Sequence, residues 1–226
     1  MNVGILHPIA NVKRKMKSTL RQRQAQATRD TIVTAAQALF LEQGYICTTI
    51  EVIAERAGVA VSTVYAIFGS KRGILRAIRD AWHERSHIRE AIYNPSRAAS
   101  PQERLEQLAE ATRRQWETGA EVTAIYTGAA AADPRAAAEL SQALEGRREG
   151  MQSFAKDLEP HLRPGLDVPG ATAILQALCL PEVFDELVRH SGWSAEAYQS
   201  WLMHALKREL LDAKEVPYYD QHQKSI

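Results

Sequence analysis

Apolar residues recur at helical spacing along nearly the whole chain, and capping and breaking residues divide the pattern into separate helices. Ile32, Val33, Ala36, Leu39 and Phe40 share one face of a helix expected to start near Thr28 to Asp30. Gly44 offers a left-handed stop, with Tyr45 packing beyond it. A second helix is expected from Thr48, because Thr48-x-x-Glu51 has capping-box spacing. Its buried stripe is Ile50, Ile53, Ala54 and Ala57, and Gly58 ends it. A short third helix has Val64 and Phe68 as its inner face and closes at Gly69. Ser70 can cap a long fourth helix running through Ile74, Leu75, Ile78 and Trp82 toward Tyr93.

Asn94-Pro95-Ser96 through Ser100-Pro101 reads as a linker, with proline at a plausible first helical position. Beyond it, Leu105, Leu108, Ala109, Thr112 and Trp116 form a stripe, and residues 122–132 make a further helical segment. Asp133-Pro134 reads as an N-cap and first helical residue, and Leu140, Leu144, Met151, Phe154 and Leu158 carry the helix that follows. After a loop at Arg163-Pro164-Gly165, two apolar helices are expected, about 171–190 and 194–211. No sustained period-two alternation with hairpin signals occurs, so the chain is expected to be all-α.

Charge adds a polarity that the apolar pattern lacks. The net charge over 226 residues is only +1, but residues 1–80 carry +7 and residues 81–226 carry −6. Residues 1–29 hold Lys13, Arg14, Lys15, Lys17, Arg21, Arg23 and Arg29 and no acid. One end of the chain is therefore built to meet an anion and the other is not. Residues 1–26 are expected to be a flexible basic arm. Cys47 and Cys179 form no metal or redox motif; they suit a reducing cytoplasm and are expected to be packing residues. No apolar run is long enough to span a bilayer and no secretory signal is evident, so no membrane is expected as a partner.

The segment from Thr48 to Lys71 has the layout of a helix-turn-helix. Once the apolar stripes are buried, its third helix presents Val61, Ser62, Thr63, Tyr65, Ala66 and Ile67. Short side chains let a helix enter the major groove, hydroxyls bond phosphates or base edges, and Val61, Ala66 and Ile67 suit thymine methyls. Lys71 opposes the macrodipole at the start of the fourth helix, which makes sense if a phosphate is its partner. Thr48 and Thr49, at the second helix N-terminus, are expected to add a phosphate contact.

Residues 35–75 resemble the DNA-binding domain of TetR-type transcriptional regulators. The residues that carry the likeness are Ala36, Leu39-Phe40, Gly44-Tyr45, Thr48-Thr49, Ile53-Ala54, Ala57-Gly58-Val59, Thr63, Tyr65, Phe68 and Ser70-Lys71. The resemblance implies that Thr63, Tyr65 and Lys71 hold phosphates while Val61, Ser62 and Ile67 face bases. It departs from the common pattern at Ala60, where serine is usual, at Ser62, where glycine is frequent, and at Ile67, where histidine or tyrosine is. It further implies a homodimer whose two C-terminal helices pair into a four-helix bundle. The partners it implies are a double-stranded palindromic DNA operator and a small-molecule effector that tilts the fourth helix and misaligns the two heads.

The expected domains are thus the arm 1–26, a helix-turn-helix domain 27–75, a ligand-binding and dimerisation bundle 76–216, and a tail 217–226. Candidates to line a ligand pocket in the bundle are Trp82, Trp116, Tyr126, Met151, Phe154 and Leu175. A competing motif is His83-Glu84-Arg85-Ser86-His87, a literal H-E-x-x-H match. Histidines four apart on one helix face could hold zinc, with Glu84 as general base. The third-ligand extension is absent, since Glu90 and Tyr93 stand at those positions. The expectation is a cytoplasmic, effector-responsive repressor, not an enzyme, with no cofactor and no metal. A zinc hydrolase and a helical binding protein without DNA function are the alternatives.

Overall fold

The computed structural model describes residues 8–94 and 100–212, with side chains from residue 21 onward. Eleven α-helices cover the described residues, with one isolated bridge between Leu162 and Leu211 and no strand among them. The chain divides into two compact units, Met1–Ile78 and Arg79–Ile226. The expected linker positions 95–99 and tail 217–226 lie outside the described residues, as do residues 1–7 of the expected arm.

The first unit contains α1 (Pro8–Cys47), α2 (Ile50–Ala57), α3 (Val61–Phe68) and the opening of α4 (Lys71–Ser86). Its core follows the predicted stripes, with Ile32, Val33, Ala36, Leu39 and Phe40 from α1, Ile50, Ile53 and Ala54 from α2, Val64 and Phe68 from α3, and Ile74, Leu75 and Ile78 from α4, while Ala57 at the end of α2 is only half-buried. The start of α1 differs from expectation, since residues 8–26 are helical. Residues 21–27 are exposed, so no apolar stripe marks them, while arginine, glutamine and alanine favour helix without one.

Gly44 interrupts α1 at φ 84° and ψ 159°, a region reserved for glycine although not the left-handed helical one expected. Gly58 does take the left-handed conformation, at φ 66° and ψ 34°. The cap of α2 is Thr49, not Thr48: the Thr49 hydroxyl accepts from the Val52 amide at 3.3 Å. Ser70 caps α4 as expected, its hydroxyl accepting from the Gly73 amide at 3.2 Å.

The second unit contains the rest of α4, α5 (Ile88–Tyr93), α6 (Pro101–Glu117), α7 (Gly119–Ala132), α8 (Pro134–Asp157), α9 (Val168–Leu178), α10 (Pro181–Phe184) and α11 (Ala195–Leu210). Ser100 and Asp133 cap α6 and α8 with proline next, as their sequences predict. Packing joins α6 to α11, α7 to α8, α8 to α9 and α5 to both α6 and α8.

Three sequence expectations change here. The long fourth helix breaks at His87, which sits at φ 57°, so α5 is a separate segment. The helix expected over 171–190 breaks at Leu180, held extended by Pro181, and its end winds as a π-helical turn at Asp185–His190. Leu144, expected in a core stripe, is 56% exposed on α8. Of the two cysteines, Cys179 is buried as expected and Cys47 is exposed.

Gly73 is required by space. A Cβ there would lie 1.9 Å from the Phe68 carbonyl oxygen, which is backbone and cannot yield. Gly128 and Gly146, inside α7 and α8, have nothing within 4 Å. We expect Gly73→Ala to lower unfolding free energy by about 1–3 kcal/mol in urea titrations. Gly128→Ala or Gly146→Ala should raise it by about 0.5–1 kcal/mol. Equal effects at the three sites would contradict this account.

Candidate nucleic-acid interface and internal cavity

Two inward residues, Val64 and Phe68, decide what α3 shows to solvent. With both buried, the opposite face exposes Ser62, Tyr65 and Ala66, while Val61, Thr63 and Ile67 flank it half-buried. Tyr65 is 48% exposed, the most open aromatic side chain on α3. The helix starts at Ala60 with no side-chain cap, as the missing serine predicts. Arg29 of α1 stacks on the Phe68 ring at 4.9 Å and so brings a cation to the end of α3. Sequence reasoning counted Arg29 only as part of a basic segment, because nothing in the pattern pairs positions so far apart.

Two predicted phosphate contacts turn inward. Thr48 is fully buried, and its hydroxyl donates to the Gly44 carbonyl at 2.8 Å and accepts from the Gln43 amide at 3.3 Å. Its side chain therefore joins the turn after α1, which corrects the expectation that it meets DNA. Thr49, the adjacent residue, is exposed at the N-terminus of α2. The Lys71 ammonium donates to the carbonyls of Tyr45 at 2.7 Å, Thr48 at 3.0 Å and Ile46 at 3.5 Å, and lies 4.2 Å from the Tyr45 ring centre. The cation opposes the dipole of its own helix, as expected, but its compensation comes from the chain segment that follows Gly44.

The zinc motif does not assemble. The positive φ of His87 ends the helical register, so His83 and His87 leave the shared face that metal binding requires. His87 is open to solvent with Nδ1 3.2 Å from Glu90, whereas His83 is half-buried. No group of three or more metal-ligating side chains occurs among the described residues.

The second unit contains a partly open cavity of about 340 Å³. Of the candidate lining residues, Trp82, Trp116, Tyr126 and Met151 border it. Phe154 and Leu175 do not; both are fully buried in the core instead. The Trp82 and Trp116 rings meet at 5.4 Å with their planes tilted by 53°, and each indole donates to a backbone carbonyl, that of Gln115 at 2.8 Å and that of Cys179 at 3.1 Å. Gly119 lets Trp82 approach, since a Cβ there would lie 2.8 Å from that indole. Polar lining comes from Arg79, His83, Arg89, Arg147 and others that the apolar pattern could not single out. Burial, with the Arg89 and Arg79 charges beside it, pushes His83 down to about 4, while Asp80 acts weakly the other way.

Residues 32–78 match the family model described as bacterial regulatory proteins, tetR family. A transcriptional regulator of Streptomyces glaucescens, TcmR, is 40% identical over 85 residues, covering 36% of this chain and 38% of that protein. TtgR of Pseudomonas putida, also a transcriptional regulator, is 39% identical over 61 residues, 27% of this chain and 29% of that one. The chain thus aligns with less than two fifths of the length of these relatives. Among solved structures, the fold is similar to NalD, the secondary repressor of the MexAB-OprM multidrug efflux pump of Pseudomonas aeruginosa. That likeness has a TM-score of 0.62 at 23% identity, over 84% of this chain and 98% of NalD. The complex of SmeT with triclosan aligns with a TM-score of 0.65 at 21% identity, over 88% of this chain and 99% of SmeT. At these identities the likeness carries the fold.

Two outcomes follow from the geometry. Lys71→Met should lower unfolding free energy in the absence of DNA by about 1–3 kcal/mol, because the carbonyls lose a charged donor. Unchanged stability would return Lys71 to a pure phosphate contact. For His83 the folded value lies below the ordinary 6.5, so the unfolded chain binds more protons between about pH 4 and 6.5. Stability should therefore fall as pH drops through that window, and His83→Gln should flatten the fall in urea titrations at pH 7 and 4.5. An identical slope in the variant would contradict the burial of a neutral imidazole.

Proposed function

We propose, from the match of residues 32–78 to the tetR family of bacterial regulatory proteins, that this chain is a sequence-specific, effector-responsive repressor of transcription. The carrying observation is the outward face of α3, small and hydroxyl-bearing, on a unit whose sequence is strongly basic. Ser62, Val61 and Ile67 read base edges, and Thr49, Thr63 and Tyr65 hold phosphates. In this reading Lys71 supports the fold of the interface.

A homodimer sets the spacing of two recognition helices on a palindromic operator. The C-terminal helices supply its interface: Leu180 at 37% and Trp193 at 38% exposure leave apolar surface open beside half-buried Leu187 and Trp201. The cavity of the second unit takes a small molecule, by analogy with SmeT, whose triclosan complex shares the fold. Binding there shifts DNA affinity only if the ligand prefers the state that does not bind DNA. The protein works in the cytoplasm, performs no catalysis and requires no metal or cofactor. The divergence of His83 and His87 argues against the hydrolase alternative.

The test is selection of bound duplexes from a random pool, followed by anisotropy titration across salt. The expected result is a palindromic motif with half-sites about one helical turn apart and a log–log salt slope of several ions. Dimerisation with no enrichment over random DNA would overturn the reading in favour of a helical binding protein.

A further inference from the structure

The cavity of the second unit joins an apolar body to an unusual polar end. Arg79, His83, Arg89 and Arg147 line it, and no aspartate or glutamate does among the described residues. Asp80, outside the lining, pairs with Arg89 at 2.7 Å and lies 3.5 Å from Arg79, so one carboxylate serves two guanidinium groups. Arg147 has no carboxylate within 4 Å among the described residues. It donates to the Cys179 carbonyl at 2.7 Å, and its guanidinium stands 5.7 Å from the Trp116 ring centre. Glu182 reaches Arg147 only through its field, and burial pushes that guanidinium downward from its ordinary value. Positive charge is therefore in excess along this wall of the cavity.

Two polar atoms in the same place lack partners. Arg79 Nε and His83 Nδ1 are buried without a hydrogen bond. Residues 79 and 83 are four apart on α4 and share a face. Buried polar atoms left unpaired are costly, and native structures seldom keep two together without a use for them. An anion would answer both features at once, accepting from Arg79 and His83 and neutralising the guanidinium excess.

We propose that this cavity takes an amphipathic organic anion, a flat aromatic acid whose acidic group sits at Arg79 and His83 and whose rings lie against Trp82 and Trp116. The assignment rests on the reading of this cavity as the effector site and names the chemical class of that effector. Aromatic walls suit a planar body, and a volume of about 340 Å³ fits a molecule of drug-like size. A cation of the same shape would meet three arginines and no acid.

The test uses 1-pyrenebutyrate and its primary carboxamide, matched in shape and different in charge, titrated into the full-length chain at pH 7.5 without DNA. Pyrene emission reads the affinity. The acid should bind at least about 10-fold more tightly than the amide, the scale of one charge-assisted contact. Arg79→Gln should bring the two within about 3-fold by weakening the acid alone, and Arg147→Gln should act in the same direction. Retained amide binding in each variant reports an intact cavity. An amide that binds as tightly as the acid, variants that weaken both probes alike, or binding of neither probe would overturn the assignment. Because DNA is absent, such a failure leaves the operator selection untouched. Acid-selective binding by a chain that enriches no DNA would instead overturn the regulator and keep the ligand class.

Discussion

The Lys71 ammonium, lodged among the carbonyls of Tyr45, Thr48 and Ile46, is the constraint on which the first unit depends. Gly44 breaks α1 and leaves the following segment with carbonyls that no helix satisfies. A single cation from the first turn of α4 gathers three of them. Thr48 secures the same turn from within, donating to the Gly44 carbonyl. With the turn fixed, Thr49 caps α2, and Val64 and Phe68 orient α3 so that Ser62 and Tyr65 face solvent. The reading face thus depends on a polar clamp at the turn before α2, and Gly73 permits the tight junction that brings α4 into place.

Much of this was legible in the sequence, for definite reasons. Burial at i, i+3 and i+4 leaves a periodic trace, so the inner faces of α1, α2, α3 and α6 could be read directly. Ser100-Pro101 and Asp133-Pro134 marked helix starts because capping chemistry is local. What failed was direction. Two adjacent threonines offered one cap, and spacing chose Thr48, whereas the turn after Gly44 sends Thr48 inward and leaves Thr49 to accept from Val52. Lys71 stood out as a cation opposed to its own helix dipole, with a phosphate expected as its partner, but the carbonyls that accept from it lie 23 to 26 residues back in the chain. No local pattern reports them.

The second unit shows the same division. Four of the six predicted lining residues reach the cavity, because large aromatic and flexible side chains tend to border such spaces. Phe154 and Leu175 carry the same signal and fill the core instead. The polar end was invisible, since Arg79, His83, Arg89 and Arg147 look like solvated helix positions until α4, α5 and α8 come together. The break at His87 matters here too. It separates the two histidines of the apparent zinc motif and gives Arg89 a place on a distinct segment.

The central claim is that the outward face of α3 reads DNA sequence. It is tested most directly by changing one residue of that face and comparing the motifs selected by the two proteins. Ser62→Asn alters an exposed position that the core does not use. The account predicts a changed base preference at one position in each half-site, with half-site spacing and unfolding free energy unchanged. The same motif from both proteins would place sequence reading elsewhere on the molecule and contradict the account.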